Sequence, residues 1–240
     1  MIVLALQNES APLICDLIIP AYNEEKAIAK VIDEVPKDLV RNIIVVDNNS
    51  TDQTAAVVKS KNAILLFEKQ RGYGRVCLNA MHWIQTQEPL PEVVVFMDGD
   101  YSDYPNELNM LLEPIKKGTD LVIGSRVRGD LAPGSLTPQQ IFGNALACFL
   151  MKLFYRVNYS DLGPFRAIRW SVLMSLGMED KTYGWTVEMQ VKAAKKGISY
   201  AEVPVSYRKR IGISKVSGTI KGTILAGYKI LWVIFKNVLK

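Results

Sequence analysis

Apolar residues along this chain come in short unbroken runs rather than in alternation. LIIP (17–20), NIIVVD (42–47), AILLFE (63–68), VVVFMD (93–98) and DLVIGS (120–125) each read as a strand. Stretches of helical character separate them at 24–35, 51–61, 74–87 and 106–117. Strands that are apolar throughout and alternate with helices predict an α/β domain, with a mostly parallel sheet covered on both faces. In such sheets ligands gather at the carboxyl ends of the strands. Here those ends carry Asn23 and Glu24, Asp47, Glu68 and Lys69, Asp98 and Asp100, and Ser125 and Arg126. Polar residues therefore collect on one rim.

Beyond Arg126 the pattern changes. RGDLAPGSLTPQQ reads as a loop, a helix over about 139–156 follows, and then come DLGPFRAIRW, a helix near 185–196 and a strand within SYAEVPVSYR. No internal repeat or low-complexity segment interrupts this order. The expected organisation is one α/β domain over 1–212 and a basic amphipathic helix over 213–240.

Charge sharpens that division. Residues 1–202 carry 21 Lys and Arg against all 24 acidic residues, whereas residues 203–240 carry eight Lys and Arg and no acid. A uniformly basic protein would suggest nucleic acid; a mildly acidic body with a basic, apolar tail suggests an anionic surface or ligand at one end. In the tail, Lys229, Lys236 and Lys240 fall on one narrow stripe. Its uncharged runs fall short of the roughly 18 residues of a spanning helix. It reads as an interfacial helix on an anionic leaflet, or as a helix docked on the body or across a dimer interface. Cys15, Cys77 and Cys148 are odd in number and in no CxxC pairing, which argues against a disulfide scaffold or structural zinc. MIVLALQNES lacks a basic n-region, so a cytoplasmic protein is expected, peripheral on the membrane face.

The candidate chemistry centres on Asp98-Gly99-Asp100. In an extended segment residues i and i+2 point to one side, so both carboxylates can face one ion, and Gly99 allows close backbone approach. Hard carboxylate oxygens in an incomplete shell suit Mg²⁺ or Mn²⁺, with ligand phosphates completing the coordination. A solvated acidic turn is the bland alternative; position at the end of an apolar strand favours the ion. Asn23 reads as a helix cap, as does Ser50 or Thr51, while capping leaves Asp47 unexplained. His82, beside Trp83 and without a partner at metal spacing, reads as a packing residue, and Trp185 as core.

In this order and spacing, PAYNEE, VVDNNSTDQT, RGYGRV, FMDGDYSDYP, LVIGSR and GPFRAIRW resemble the inverting family 2 glycosyltransferases of GT-A fold. The closest resemblance is to their dolichyl-phosphate mannosyltransferase and polyprenyl-phosphate glycosyltransferase branch, over about 17–215. It implies that Pro20, Tyr22 and Glu24 meet the nucleotide, that Asp47 and Asn48 lie against base and ribose, and that Lys69 and Gly74 stand on the donor side. It further implies that Asp98, Gly99 and Asp100 serve the diphosphate and its Mg²⁺ or Mn²⁺. Two departures stand out. Asp47-Asn48-Asn49-Ser50 replaces a common Asp-Asp-Gly-Ser, which leaves the base open. Ser102 replaces a Gln that is sometimes a metal ligand, for which Asp103 or water could substitute.

The activity implied is transfer of a hexose, with inversion, from a UDP- or GDP-linked donor to a lipid-linked acceptor, foremost polyprenyl phosphate. Arg126, Arg128, Arg166, Arg208, Arg210 and Lys215 are the candidates for the acceptor phosphate. Such an acceptor is already anionic and needs no general base. A hydroxyl of a glycolipid or polysaccharide precursor would need one, and Asp161 or Glu188 could supply it; Glu188 could equally pair with YRKR. Two other classes compete: a nucleotidyltransferase, disfavoured because IIPAYNEE offers no Gly-rich phosphate cradle, and a non-catalytic membrane-associated nucleotide binder. No nucleic-acid partner is expected, and a homo-oligomer is left open.

Overall fold

A computed structural model of the chain describes residues 13–212, 214 and 220–238. The strands are β1 (Cys15–Ala21), β2 (Asn42–Asp47), β3 (Ile64–Phe67), β4 (Val93–Phe96), β5 (Leu121–Ser125), β6 (Arg166–Arg169) and β7 (Tyr200–Pro204). The helices are α1 (Ile28–Glu34), α2 (Thr54–Lys59), α3 (Tyr73–Ile84), α4 (Leu108–Lys116), α5 (Pro138–Tyr155), α6 (Trp170–Leu176), α7 (Trp185–Lys195) and α8 (Ile220–Val238). The strands form one sheet in the order β3-β2-β1-β4-β6-β5-β7. Only β6 runs antiparallel, against both β4 and β5.

The unbroken apolar strands follow from two covered faces. Ile18, Ile44, Val46, Val94 and Phe96 point into a core shared with α3 and α5 to α8. Their neighbours Leu17, Ile19, Val45 and Val95 point into a second core against α1, α2 and α4. Neither β6 nor α6 is anticipated by the hydrophobic pattern. β6 begins with Arg166, which is fully buried yet matched: it donates to the carbonyls of Gly163 (3.1 Å), Thr186 (2.9 Å) and Leu162 (3.1 Å). Burial still drags its pKa down to about 10.

Helix starts differ from expectation in an informative way. α5 has a full capping box: Thr137 accepts from the Gln140 N–H, the Gln140 side chain accepts from the Thr137 N–H, and Pro138 opens the helix. α1 and α2 start later than Asn23 and Ser50 and have no side-chain cap. His82 is exposed on α3 rather than packed, because the buried face of that helix is carried by Val76, Cys77, Ala80, Met81 and Ile84. Trp185 is buried and meets Phe96 edge-on at 6.0 Å. The three cysteines are free and buried.

α8 docks on α5 and α7 through buried Val233 and Ile234. Phe154 and Phe235 stack edge-on at 5.5 Å, and Lys229 pairs with Asp180 at 2.8 Å. Its other face stays open, so the helix is both docked on the body and exposed. Among the described residues no helix is long and apolar enough to cross a membrane.

Candidate active site

Strand register assembles the rim. Ala21 lies level with Asp47, and Asp47 with Phe67, while Phe96 ends beside Ile18. The loops that follow are stitched to one another. The Asn23 N–H donates to Ser50 Oγ (2.9 Å), Thr51 N–H to Asn23 Oδ1 (2.8 Å) and Glu24 N–H to Thr54 Oγ1 (2.8 Å). The residues that read as caps thus join the β1 and β2 loops. Asn23 and Asn49 both take left-handed backbone (φ 54° and 60°), which Asn tolerates well. Asn48 donates to the carbonyls of Glu68 (3.0 Å) and Gln70 (2.8 Å) and accepts from the Gly72 N–H (2.9 Å), shaping the next loop.

Asp98, Gly99 and Asp100 leave β4 into the middle of this rim. A Cβ on Gly99 would stand 3.0 Å from the Pro20 carbonyl oxygen, a tight contact that glycine avoids. Asp100 Oδ1 accepts from the Ser102 N–H (2.9 Å) and hydroxyl; the Ser that replaces Gln fixes this carboxylate. Asp103 is buried; its Oδ2 accepts from the Asp98 N–H (3.2 Å), and its Oδ1 has no partner among the described residues. Tyr101 between them is left-handed (φ 68°), a strained conformation for a bulky residue. The Arg208 guanidinium, 3.3 Å over its ring, helps to hold it there. Desolvation, then the charge of Asp100, push the Asp98 carboxyl up to about 7, against the pull of Arg210 and Arg126.

Asp98 and Asp100 line a cleft of about 620 Å³. Of the residues singled out in the sequence, it is lined by Pro20, Tyr22, Glu24, Asn48, Asp98, Gly99, Asp100, Arg126 and Arg210. The others lie elsewhere. Asp47 is buried and accepts from the Ser50 N–H (3.3 Å), and Lys69 is exposed. Gly74 is a packing glycine: a Cβ there would stand 1.9 Å from the Asp180 carbonyl oxygen. Arg128 pairs with Glu202 (3.1 Å), and Arg208 with Glu34 (2.8 Å). Asp161 is buried behind Arg126 and accepts three bonds from it, from the backbone N–H (2.8 Å), Nε (2.8 Å) and Nη2 (2.7 Å). Burial opposes the Arg126 charge, but the Asp161 bonds outweigh it and raise the pKa. Glu188 pairs with Lys192 (2.8 Å) and accepts from the Asp180 N–H (2.8 Å); of its two readings, base or partner of YRKR, the ion pair with YRKR is not formed. Lys215 lies outside the described residues. Sequence reasoning passed over Arg71, whose guanidinium stacks 3.2 Å over the Tyr22 ring on the cleft wall. RGYGRV was the signal, read there for its glycine.

Among the described residues no cluster of three His, Cys, Asp or Glu is placed to hold a metal. Two carboxylates suffice, however, for a Mg²⁺- or Mn²⁺-type ion that takes its other ligands from phosphates and water. Asp100 moreover already faces a cation, Arg210 Nη1 at 3.1 Å from its Oδ2. The donor set fits such an ion.

A mostly parallel sheet flanked by helices, with a cleft on the carboxyl rim, is the architecture of the GT-A glycosyltransferases, and the solved structures agree. Glucosyl-3-phosphoglycerate synthase from Mycobacterium tuberculosis superimposes with a TM-score of 0.76 at 19% identity, over 95% of this chain and 80% of that one. Its complex with Mn²⁺, uridine diphosphate and glucosyl-3-phosphoglycerate gives 0.75 at 20%, with the same coverage. At that identity the likeness concerns the fold. The chain belongs to glycosyl transferase family 2, whose model matches residues 16–176. An undecaprenyl-phosphate mannosyltransferase from Micrococcus luteus is 31% identical over 221 residues, 85% of this chain and 88% of that protein. A polyprenol monophosphomannose synthase from Mycolicibacterium smegmatis is 28% identical over 220 residues, 85% and 81% of the two chains.

Proposed function

We propose that this glycosyltransferase moves a hexose from a nucleoside diphosphate sugar to a polyprenyl phosphate at a membrane surface. One observation carries the reading: the cleft is bordered by Gln140 of α5 and Ala226 of α8, two helices that carry an exposed apolar platform. Ile141, Phe142, Phe149 and Leu153 of α5 and Ile224, Tyr228 and Trp232 of α8 lie bare on it, Phe142 at 71% exposure. Neither helix carries an acid, and beside Lys229, which is committed to Asp180, they carry exposed Lys152 and Lys236. A second copy packed there would set lysines against lysines, whereas an anionic leaflet matches both the apolar face and the charge. The names of the two lipid-phosphate relatives point the same way.

In this reading Pro20, Tyr22, Glu24 and Asn48 border the nucleoside, with Arg71 stiffening Tyr22, and Asp98 and Asp100 would hold Mg²⁺ or Mn²⁺. When bound, the ion stabilises the negative charge of the departing diphosphate. The chain's own residues place the acceptor. Its phosphate oxygen attacks the anomeric carbon opposite the leaving group, which inverts the configuration and needs no base. Arg126 supplies positive charge at the acceptor side, and Asp161 is a positioning residue that orients it. Glu188, Arg128, Arg166 and Arg208 are assigned to structure, because their charges are spent within the fold; Lys215 remains a candidate for the acceptor phosphate. Transfer to a hydroxyl is disfavoured, since Asp161 is already saturated by Arg126 and Glu188 is outside the cleft.

The test is product analysis with labelled UDP- and GDP-sugars, Mn²⁺ and polyprenyl phosphate in vesicles. Labelled hexose in the lipid fraction, with equimolar nucleoside diphosphate, is expected. Label passing only to a water-soluble product, or release of pyrophosphate, would refute the reading.

A further inference from the structure

Arg210 enters the cleft on a segment laced to the DGD loop by backbone bonds. Arg208 N–H donates to the Ser102 carbonyl (3.0 Å) and Ile211 N–H to that of Asp100 (2.9 Å). The guanidinium between those anchors spans two carboxylates: Nη1 lies 3.1 Å from Asp100 Oδ2, and Nη2 lies 3.2 Å from Glu24 Oε1. Nε is buried without a partner among the described residues. Asp100 Oδ1 is already engaged by Ser102, and Oδ2 faces Arg210. A divalent ion ligated by Asp100 through Oδ2 must therefore share that oxygen with Arg210 or displace it. The guanidinium fork meets the two carboxylates with separate nitrogens, whereas an ammonium would have to serve both from one.

We propose that Arg210 is a built-in stand-in cation. It neutralises Asp100 and Glu24 before ligands arrive, and gives up Asp100 to the metal when a nucleoside diphosphate offers it another anion. This rests on reading the rim as a metal and diphosphate site, and it goes beyond that reading by making an arginine the metal's competitor. It has a thermodynamic consequence. Metal alone meets resistance, metal with nucleotide does not, and by linkage each strengthens the other by the same factor. The loop that carries Arg210 thereby ties metal loading to donor arrival.

The experiment is calorimetric titration of Mn²⁺ into the full chain, alone and with saturating UDP or GDP, for wild type, Arg210→Gln and Arg210→Lys. Arg210→Gln is expected to bind Mn²⁺ alone about tenfold more tightly than wild type, a size ordinary for coupled sites. Its gain in Mn²⁺ affinity on adding nucleotide should be smaller than that of wild type. Arg210→Lys, which keeps the charge and guards against a folding defect in the Gln variant, should fall between the two. Unchanged Mn²⁺ affinity in Arg210→Gln, with weakened nucleotide binding, would make Arg210 a phosphate ligand only and overturn the inference. Weaker Mn²⁺ binding in Arg210→Gln would overturn it too, by showing that Arg210 props up the metal ligands. Absence of Mn²⁺ binding by every form even with nucleotide would instead refute the metal and diphosphate reading itself.

Discussion

Two arginines reach carboxylates on the same cleft wall and are held in opposite ways. Arg126 meets Asp161 through three bonds of 2.7 to 2.8 Å, with the carboxylate wholly buried. Arg210 meets Asp100 and Glu24 through single contacts of 3.1 and 3.2 Å, with its side chain 29% exposed and Nε unmatched among the described residues. The first pair has its charges closely matched, so moving either partner leaves a buried charge alone. The second has alternatives in solvent and in an anionic ligand. Salt bridges of like composition thus divide into a fixed one at Arg126 and a looser one at Arg210.

That contrast can be broken by mutation. Arg126→Ala strands Asp161 and should cost about 3–5 kcal/mol, measured by urea unfolding; Arg210→Gln should cost less, because its side chain is 29% exposed and makes single contacts that a glutamine amide can partly replace. Equal losses would erase the distinction. A separate effect, on membrane binding rather than on folding, is expected at the platform. Phe142→Ser combined with Phe149→Ser removes apolar area worth roughly 1.5–3 kcal/mol per buried ring, and should weaken sedimentation with anionic vesicles by at least about tenfold. Fold and nucleotide binding should be unaffected. If the substitutions instead convert a dimer to a monomer without changing vesicle binding, the platform is a self-interface.

Much of the fold was legible because both sheet faces are covered, so each of the first five strands announces itself as an apolar run. β6 was not, since its four residues begin and end in arginine and Arg166 is satisfied by carbonyls that only the folded loop supplies. The gathering of Glu24, Asn48, Asp98 and Asp100 on one rim was legible for a related reason: strand ends place them there whatever the loops do. The arginines were not sortable. Arg208 finds Glu34 and Arg128 finds Glu202 across 174 and 74 residues of chain, and nothing local separates them from Arg126 or Arg210. The Asn and Ser residues after β1 and β2 have the composition of caps, yet bridge two loops that sequence cannot know are adjacent.

The most direct test of the rim as a metal and nucleoside diphosphate site is thermal unfolding with UDP, GDP and their sugar conjugates, each with and without Mn²⁺. Wild type is compared with the Asp98→Ala/Asp100→Ala double variant. Ligand that binds only the native state raises Tm by mass action. The expected result is a Mn²⁺-dependent rise in Tm with one nucleotide class in wild type, absent from the double variant, which still folds. A rise that survives loss of both carboxylates, or no rise with any nucleotide, would contradict the account.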